Sequence, residues 1–280
     1  MKKILLSALA LALAFASMAQ RPKNIIFIVG DGMGTAQVYS SIVAQGEQSQ
    51  FLRFPFTGFS RTYCLNRYTT DSGAGGTALM TGHKVNYSSI AMAPDSTMWP
   101  SFLQVAHDQK GKKTGFVVTC SPLDATPAST YGHATNRNQW DNLSMQMALC
   151  CHDVMIGADR KSFTPKYRKD GLAPIDTMEK RGYTMIYDTT ELYRTTATRL
   201  CALMSDDKEP GHALRRSNWL APSSMKAIEI LSQNKKGFCL MIEGSQIDWA
   251  CHNNEFTYML KEMNEFELML KAVLDWAEKD

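Results

Sequence analysis

Four short stretches of this chain gather residue types that handle ions. The first, IIFIVGDGMGTAQVYSSIV at 25–43, places Asp31 between two glycines directly after an apolar run. If the run is a buried strand and TAQVYSSIV opens a helix, Asp31 stands at a strand end, where open α/β sheets bind their ligands. The glycines read G-x-G-x-G rather than G-x-G-x-x-G, and a carboxylate there repels a pyrophosphate, so a dinucleotide cradle is excluded. Asp31 is left as a cation ligand or as a plain helix cap. The second stretch, RYTTDSGAGGTALMTGHK at 67–84, sets Ser72 ahead of four small residues, so a helix begins at or near it. A hydroxyl there lies close to free backbone N–H groups and can meet an anionic substrate. Asp71 and Gly73 flank it, so the G-x-S-x-G elbow is missing, and the residue reads either as a nucleophile or as an ordinary N-cap.

The third stretch is TCSPLDATPASTYGHATNR at 119–137. Pro127 fits the first turn of a helix, which predicts Thr126 as the cap and leaves Asp124 just outside it. Threonine and aspartate oxygens suit a hard cation such as Mg²⁺. Arg137 has the planar fork that can grip two phosphate oxygens. The duller reading is a cap, a loop acid and a surface arginine. In the fourth stretch, CLMIEGSQIDWACHNNE at 239–255, an apolar strand ends at Glu243, and Asp248 and His252 follow four residues apart. On a helical turn both face the same way, and a carboxylate plus an imidazole at that spacing is half of a zinc site. The ligand preferences of catalytic zinc favour His252 over Cys251. A solvated acid and a capping histidine is the alternative.

These stretches fall at the ends of predicted strands. The apolar patterning predicts strands at Asn24–Val29, Thr114–Cys120, Tyr183–Tyr187 and Gly237–Ile242. It predicts helices at Ala36–Ala44, Trp99–Gln109, Gln139–Ile156, Ser223–Gln233 and about Glu255–Glu278. Alternation of strand and helix implies an α/β fold, a three-layer α/β/α sandwich around a mainly parallel sheet. The charged, turn-rich segment 158–220 reads as an insertion at the rim of that sheet.

Residues 1–19 combine Lys2 and Lys3 with an apolar core and the small-residue exit Ser17-Met18-Ala19. That is the pattern of a cleaved leader, which predicts an exported, periplasmic or secreted domain over 20–280 with no lasting membrane span. Loss of the two lysines lowers the formal charge from +3 to +1. No polybasic run follows, so nucleic acid is not an expected partner. With 44% hydrophobic residues the chain can bury a sizeable core, which argues against disorder. The seven cysteines lack C-x-x-C spacing, and no pairing is assigned; Cys120 and Cys239 lie in strand-like runs and suit small buried side chains.

Taken together, GDGMG, TTDSGAGGTALMTG, DATPAS with TNR, and EGSQIDWACH resemble the alkaline phosphatase family in order and sense, from the first strand to the last residue. The resemblance implies a phosphomonoesterase with two zinc ions and one magnesium ion around a phosphorylated serine. It implies Ser72 as the nucleophile and zinc ligand, Arg137 as the phosphate clamp and Asp71 as the acid that steadies the arginine. Asp31 matches a carboxylate shared between the second zinc and the magnesium. Thr126 and Glu243 match further magnesium ligands, Asp124 the holder of a magnesium-bound water, and Asp248 and His252 ligands of the first zinc. Small phosphomonoesters are the implied substrates and a homodimer the implied assembly.

Two departures stand out. Trp249 follows Asp248 where relatives carry lysine or histidine, which leaves the third metal open. The family's later Asp-His pair and final histidine have no counterpart, since no histidine follows His252. The fold is accordingly expected to be incomplete on its C-terminal side, with an apolar sheet edge, weak zinc binding and little turnover for these 280 residues alone. Other readings are a sulfatase, whose C/S-x-P-x-R motif is absent around Ser72, a phosphodiesterase, which generally uses threonine there, and a non-catalytic phosphate- or metal-binding protein.

Overall fold

Strand residues in this protein alternate between two separate apolar cores, which makes the sheet the middle layer of three. The computed structural model describes residues 22–207 and 218–279; the leader predicted at 1–19 lies outside them. Six strands, β1 (Ile25–Gly30), β2 (Lys113–Val118), β3 (Val154–Gly157), β4 (Thr184–Ile186), β5 (Leu200–Leu203) and β6 (Phe238–Gly244), form one sheet in the order β1-β6-β2-β3-β5-β4. Every neighbouring pair is parallel. The mainly parallel α/β sheet expected from the sequence is therefore what forms.

The principal helices are α1 (Thr35–Gln45), α2 (Ser72–Thr81), α3 (Phe102–Lys110), α4 (Ala125–Ala128), α5 (Trp140–Leu149), α6 (Pro174–Lys180), α7 (Thr189–Arg194), α8 (Leu220–Leu231), α9 (Gln246–His252) and α10 (Phe256–Ala277). On one face, Phe116, Val118, Met155, Cys239 and Met241 pack with Met80 of α2, Leu103 of α3 and Leu143 and Met147 of α5. On the other, Val117, Val154, Ile156, Leu240 and Ile242 pack with Ile228 and Leu231 of α8 and Met263, Phe266 and Leu270 of α10. The seven cysteines are free thiols, and Cys120 and Cys239 are buried.

Two expectations need correction. The helix predicted over Gln139–Ile156 stops at Leu149, and Val154–Gly157 is strand β3. All four of its residues are buried, so it shows no alternation, and an apolar run covered on both faces cannot be told from a buried helix by periodicity. The segment 158–220 also supplies two strands to the sheet, β4 and the unpredicted β5, whose Leu-Cys-Ala-Leu is fully buried. At the opposite edge β1 is only partly covered, with Ile25 exposed.

Candidate active site

The strands β1, β6 and β2 end level, with Val29 and Val118 both opposite Glu243 and Gly30 opposite Gly244. Whatever follows β1 and β2 must therefore meet the end of β6. Asp31 is the first residue past β1, and its N–H donates to the Gly244 carbonyl at 3.3 Å. The chain turns at Gly32, whose φ of +64 suits glycine. A Cβ there would lie 2.6 Å from Asp248 Oδ1 and 2.7 Å from its Cα, so glycine also lets α9 approach. Helix α1 is capped at Gly34, not Asp31. The Asp31 carboxylate is thus released from capping, and it accepts the Ser72 hydroxyl at 3.0 and 3.3 Å.

Ser72 is the first residue of α2, and the cap is Asp71, whose Oδ1 accepts the Ala74 N–H at 3.1 Å. The serine hydroxyl is consequently not spent on its own helix. Asp71 Oδ1 also accepts the Ser88 N–H at 3.0 Å, and its Oδ2 accepts Arg137 Nη1 at 3.1 Å. Burial by itself would raise the Asp71 carboxyl, but the Ser88 and Ala74 N–H groups and the guanidinium outweigh it and hold it below the usual range. Ser88 is a residue that sequence reasoning missed. Its N–H holds Asp71, its carbonyl accepts the Arg137 N–H at 2.7 Å, and its φ is +72. No signal in the sequence points to it, because its part is played by backbone.

The small residues of α2 bring it against α4: a Cβ on Gly76 would meet Ser129 Oγ at 3.0 Å and Thr126 Cα at 3.2 Å. The predicted cap of α4 is off by two positions. Asp124 is the N-cap, its carbonyl accepting the Ala128 N–H at 2.9 Å, and Thr126 sits inside the first turn. Pro127 is still accommodated there, since first-turn N–H groups have no helical partner. From that position Thr126 hydrogen-bonds the buried Glu243.

Four carboxyl groups converge on this rim. Burial, followed by the charge of Asp31, pushes Glu243 well above the carboxylate range, and Asp124 adds to the effect. Burial and then Asp248 push Asp31 up to about 6, opposed by the Ser72 hydrogen bond and by Arg137. Asp248 is raised by burial and steadied by His252 and Arg137. Asp248 and His252 lie on one face of α9, 3.5 Å apart, with the imidazole largely exposed at the rim. Cys251 instead accepts a hydrogen bond from Gln37 of α1. Asp31, Asp71, Ser72, Asp124, Thr126, Arg137, Glu243, Asp248 and His252 thus gather in one constellation at the C-terminal ends of three adjacent strands.

The profile of the alkaline phosphatase family matches residues 22–280, nearly the whole chain. The chain belongs to the alkaline phosphatase family. It is 31% identical to alkaline phosphatase 3 of Bacillus subtilis over 276 residues, covering 92% of this chain and 58% of that relative. It is 26% identical to the Escherichia coli alkaline phosphatase over 331 residues, covering 94% of this chain and 69% of that protein. The solved alkaline phosphatase from the Antarctic bacterium TAB5 is 32% identical and superimposes with a TM-score of 0.87 over 93% of this chain and 76% of its own. A variant of the TAB5 enzyme has magnesium bound in its M3 site. The chain therefore spans less than two thirds of the length of its Bacillus relative.

Proposed function

We propose that this protein hydrolyses small phosphomonoesters through a phosphoserine at Ser72, with two zinc ions and one magnesium ion. One observation carries the reading: the Ser72 hydroxyl is free of its helix cap and aimed at Asp31, while Asp71, one residue earlier, holds Arg137. A nucleophile and a phosphate clamp are thereby fixed from the same turn.

The donors present fit the magnesium ion and supply two ligands to each zinc, short of the three or four that zinc normally takes, so zinc is expected to bind weakly here. Burial and neighbouring carboxylates push Asp31 and Glu243 up, Asp124 adds to the charge on Glu243, and burial raises Asp248; cations placed among them relieve both the repulsion and the burial. Asp248 and His252 would hold one zinc, Asp31 and Ser72 the other, and Asp31, Thr126 and Glu243 the magnesium, with Asp124 holding a water beside it. When bound, these ions supply the positive charge that a phosphate dianion requires and lower the pKa of the serine hydroxyl and of water.

The chain's own groups then act as follows. Arg137 donates to phosphate oxygens and, held by Asp71, orients phosphorus towards Ser72. Ser72 Oγ attacks phosphorus; the Oγ–P bond forms, the ester P–O bond breaks, and the departing oxygen takes a proton from solvent as the serine proton leaves to it. Water then attacks the phosphoserine from the opposite side, releasing inorganic phosphate and restoring the hydroxyl. A site at an exposed strand-end rim suits small soluble esters, and no helix among the described residues is long and apolar enough to cross a membrane. Export, as the leader pattern at 1–19 implies, is the proposed location. A homodimer is the assembly that the family resemblance implies.

The test is a quench experiment. The protein, supplied with Zn²⁺, Mg²⁺ and a phosphomonoester, is stopped in acid and its peptides are weighed. A phosphoryl group on the Ser72 peptide, absent from Ser72→Ala, is the expected result; hydrolysis that persists in Ser72→Ala would contradict it.

A further inference from the structure

At the other end of the sheet stands a second set of ligand atoms that the phosphatase reading does not use. The last turn of α3, shortly before β2 begins, carries His107 and Asp108, and Cys151 lies in the short link between α5 and β3. Because β2 and β3 are parallel neighbours, with Gly115 opposite Val154, the residues that lead into them are brought side by side at the N-terminal ends of the strands. One ligand atom from each of His107, Asp108 and Cys151 lies within 4.8 Å of the other two. We propose that these three side chains form a zinc-binding site, remote from the C-terminal rim, that ties α3 to the link before β3.

The chemistry fits zinc better than a hard cation. Thiolate, imidazole and carboxylate are its preferred donors, and three of them leave a fourth tetrahedral position for water. Around a zinc with bonds of about 2.0 to 2.3 Å, neighbouring ligand atoms sit about 3.5 Å apart. The existing spacing therefore needs to close by little more than about an ångström, a small change for the two outer side chains. The two partners able to move are exposed, with side-chain exposures of 40% for His107 and 68% for Asp108. Their mutual hydrogen bond, Nδ1 to Oδ1 at 2.8 Å, already holds the imidazole and the carboxylate together. The sulfur is the less exposed member: Cys151 is half-buried, and burial and then the charge of Asp108 push its thiol up, a cost that a cation among the three groups offsets. Zinc binding forms the Zn–S bond and releases the thiol proton to solvent, with no change of oxidation state.

Cobalt(II) substitution tests this on the full chain, since a cobalt–thiolate bond gives a near-ultraviolet charge-transfer absorption that oxygen and nitrogen ligands do not. Cys251 lies beside Asp248 and His252 and could give the same signal at the rim, so Cys251→Ser is the control. Wild type and Cys251→Ser are expected to show the band, and Cys151→Ser to lose it while its far-ultraviolet circular dichroism is unchanged. His107→Ala, with its far-ultraviolet circular dichroism unchanged, should weaken cobalt binding as read from that band at least about tenfold. The proposal is overturned if wild type shows no band, if the band survives in Cys151→Ser, or if His107→Ala binds cobalt as wild type does.

Discussion

Ser72 and Asp31 meet across 41 positions of sequence, and each is left free because a neighbour caps the helix instead. That division of labour makes their roles separable by substitution. Ser72→Ala should remove the turnover that the rim supports while phosphate still binds, measured as hydrolysis rate and as phosphate affinity by calorimetry. Asp71→Asn distinguishes the cap from the clamp. Asparagine caps as well as aspartate, so the melting temperature should hold, whereas Arg137 loses its ionic partner and KM should rise about tenfold or more. The side chains at this scale were readable in the sequence because aspartate, serine and histidine at strand ends are chemically suggestive. Ser88 was not, because a backbone N–H and carbonyl carry no residue-type signature.

The elements position these residues through close approach as much as through apolar burial. Gly32 has a positive φ and touches α9, whereas Gly82, the C-cap of α2, has φ +75 and open space around its absent Cβ. The pair separates strain from collision. Gly82→Ala should cost about 1 to 2 kcal/mol from backbone strain alone. Gly32→Ala should cost more in a urea titration and also weaken zinc binding, because it displaces Asp248; equal effects of the two substitutions would mean that the close approach to Asp248 carries no cost. Helices α1, α3, α8 and α10 and strands β1, β2 and β6 followed from period and caps. Strands β3 and β5 did not, since strands buried on both faces lose the alternation that marks a strand. The cap of α4 was misplaced because Pro127 fixes the first turn without saying which of its positions it fills.

For the molecule as a whole, stability should fall on the acid side partly through His133. Burial holds its imidazole below the ordinary value, against the opposing hydrogen bond to the Trp99 carbonyl. Below about pH 6.5 the unfolded chain takes up a proton that the folded one resists, so unfolding free energy drops as pH falls. Urea midpoints taken from about pH 7.5 to about pH 5 should decline less steeply for His133→Gln than for wild type. At this scale the sequence yielded the layered parallel architecture and the family, because motifs spread from Asp31 to His252 make sense only if one sheet collects them. The rim so collected is expected to hold divalent ions around Ser72. A zinc-edge anomalous difference map from crystals soaked in Zn²⁺, Mg²⁺ and phosphate tests it most directly. Zinc peaks between Asp31 and Ser72 and between Asp248 and His252, with phosphate against Arg137, are the predicted result; a rim without anomalous density, in crystals that diffract well at high zinc, would contradict it.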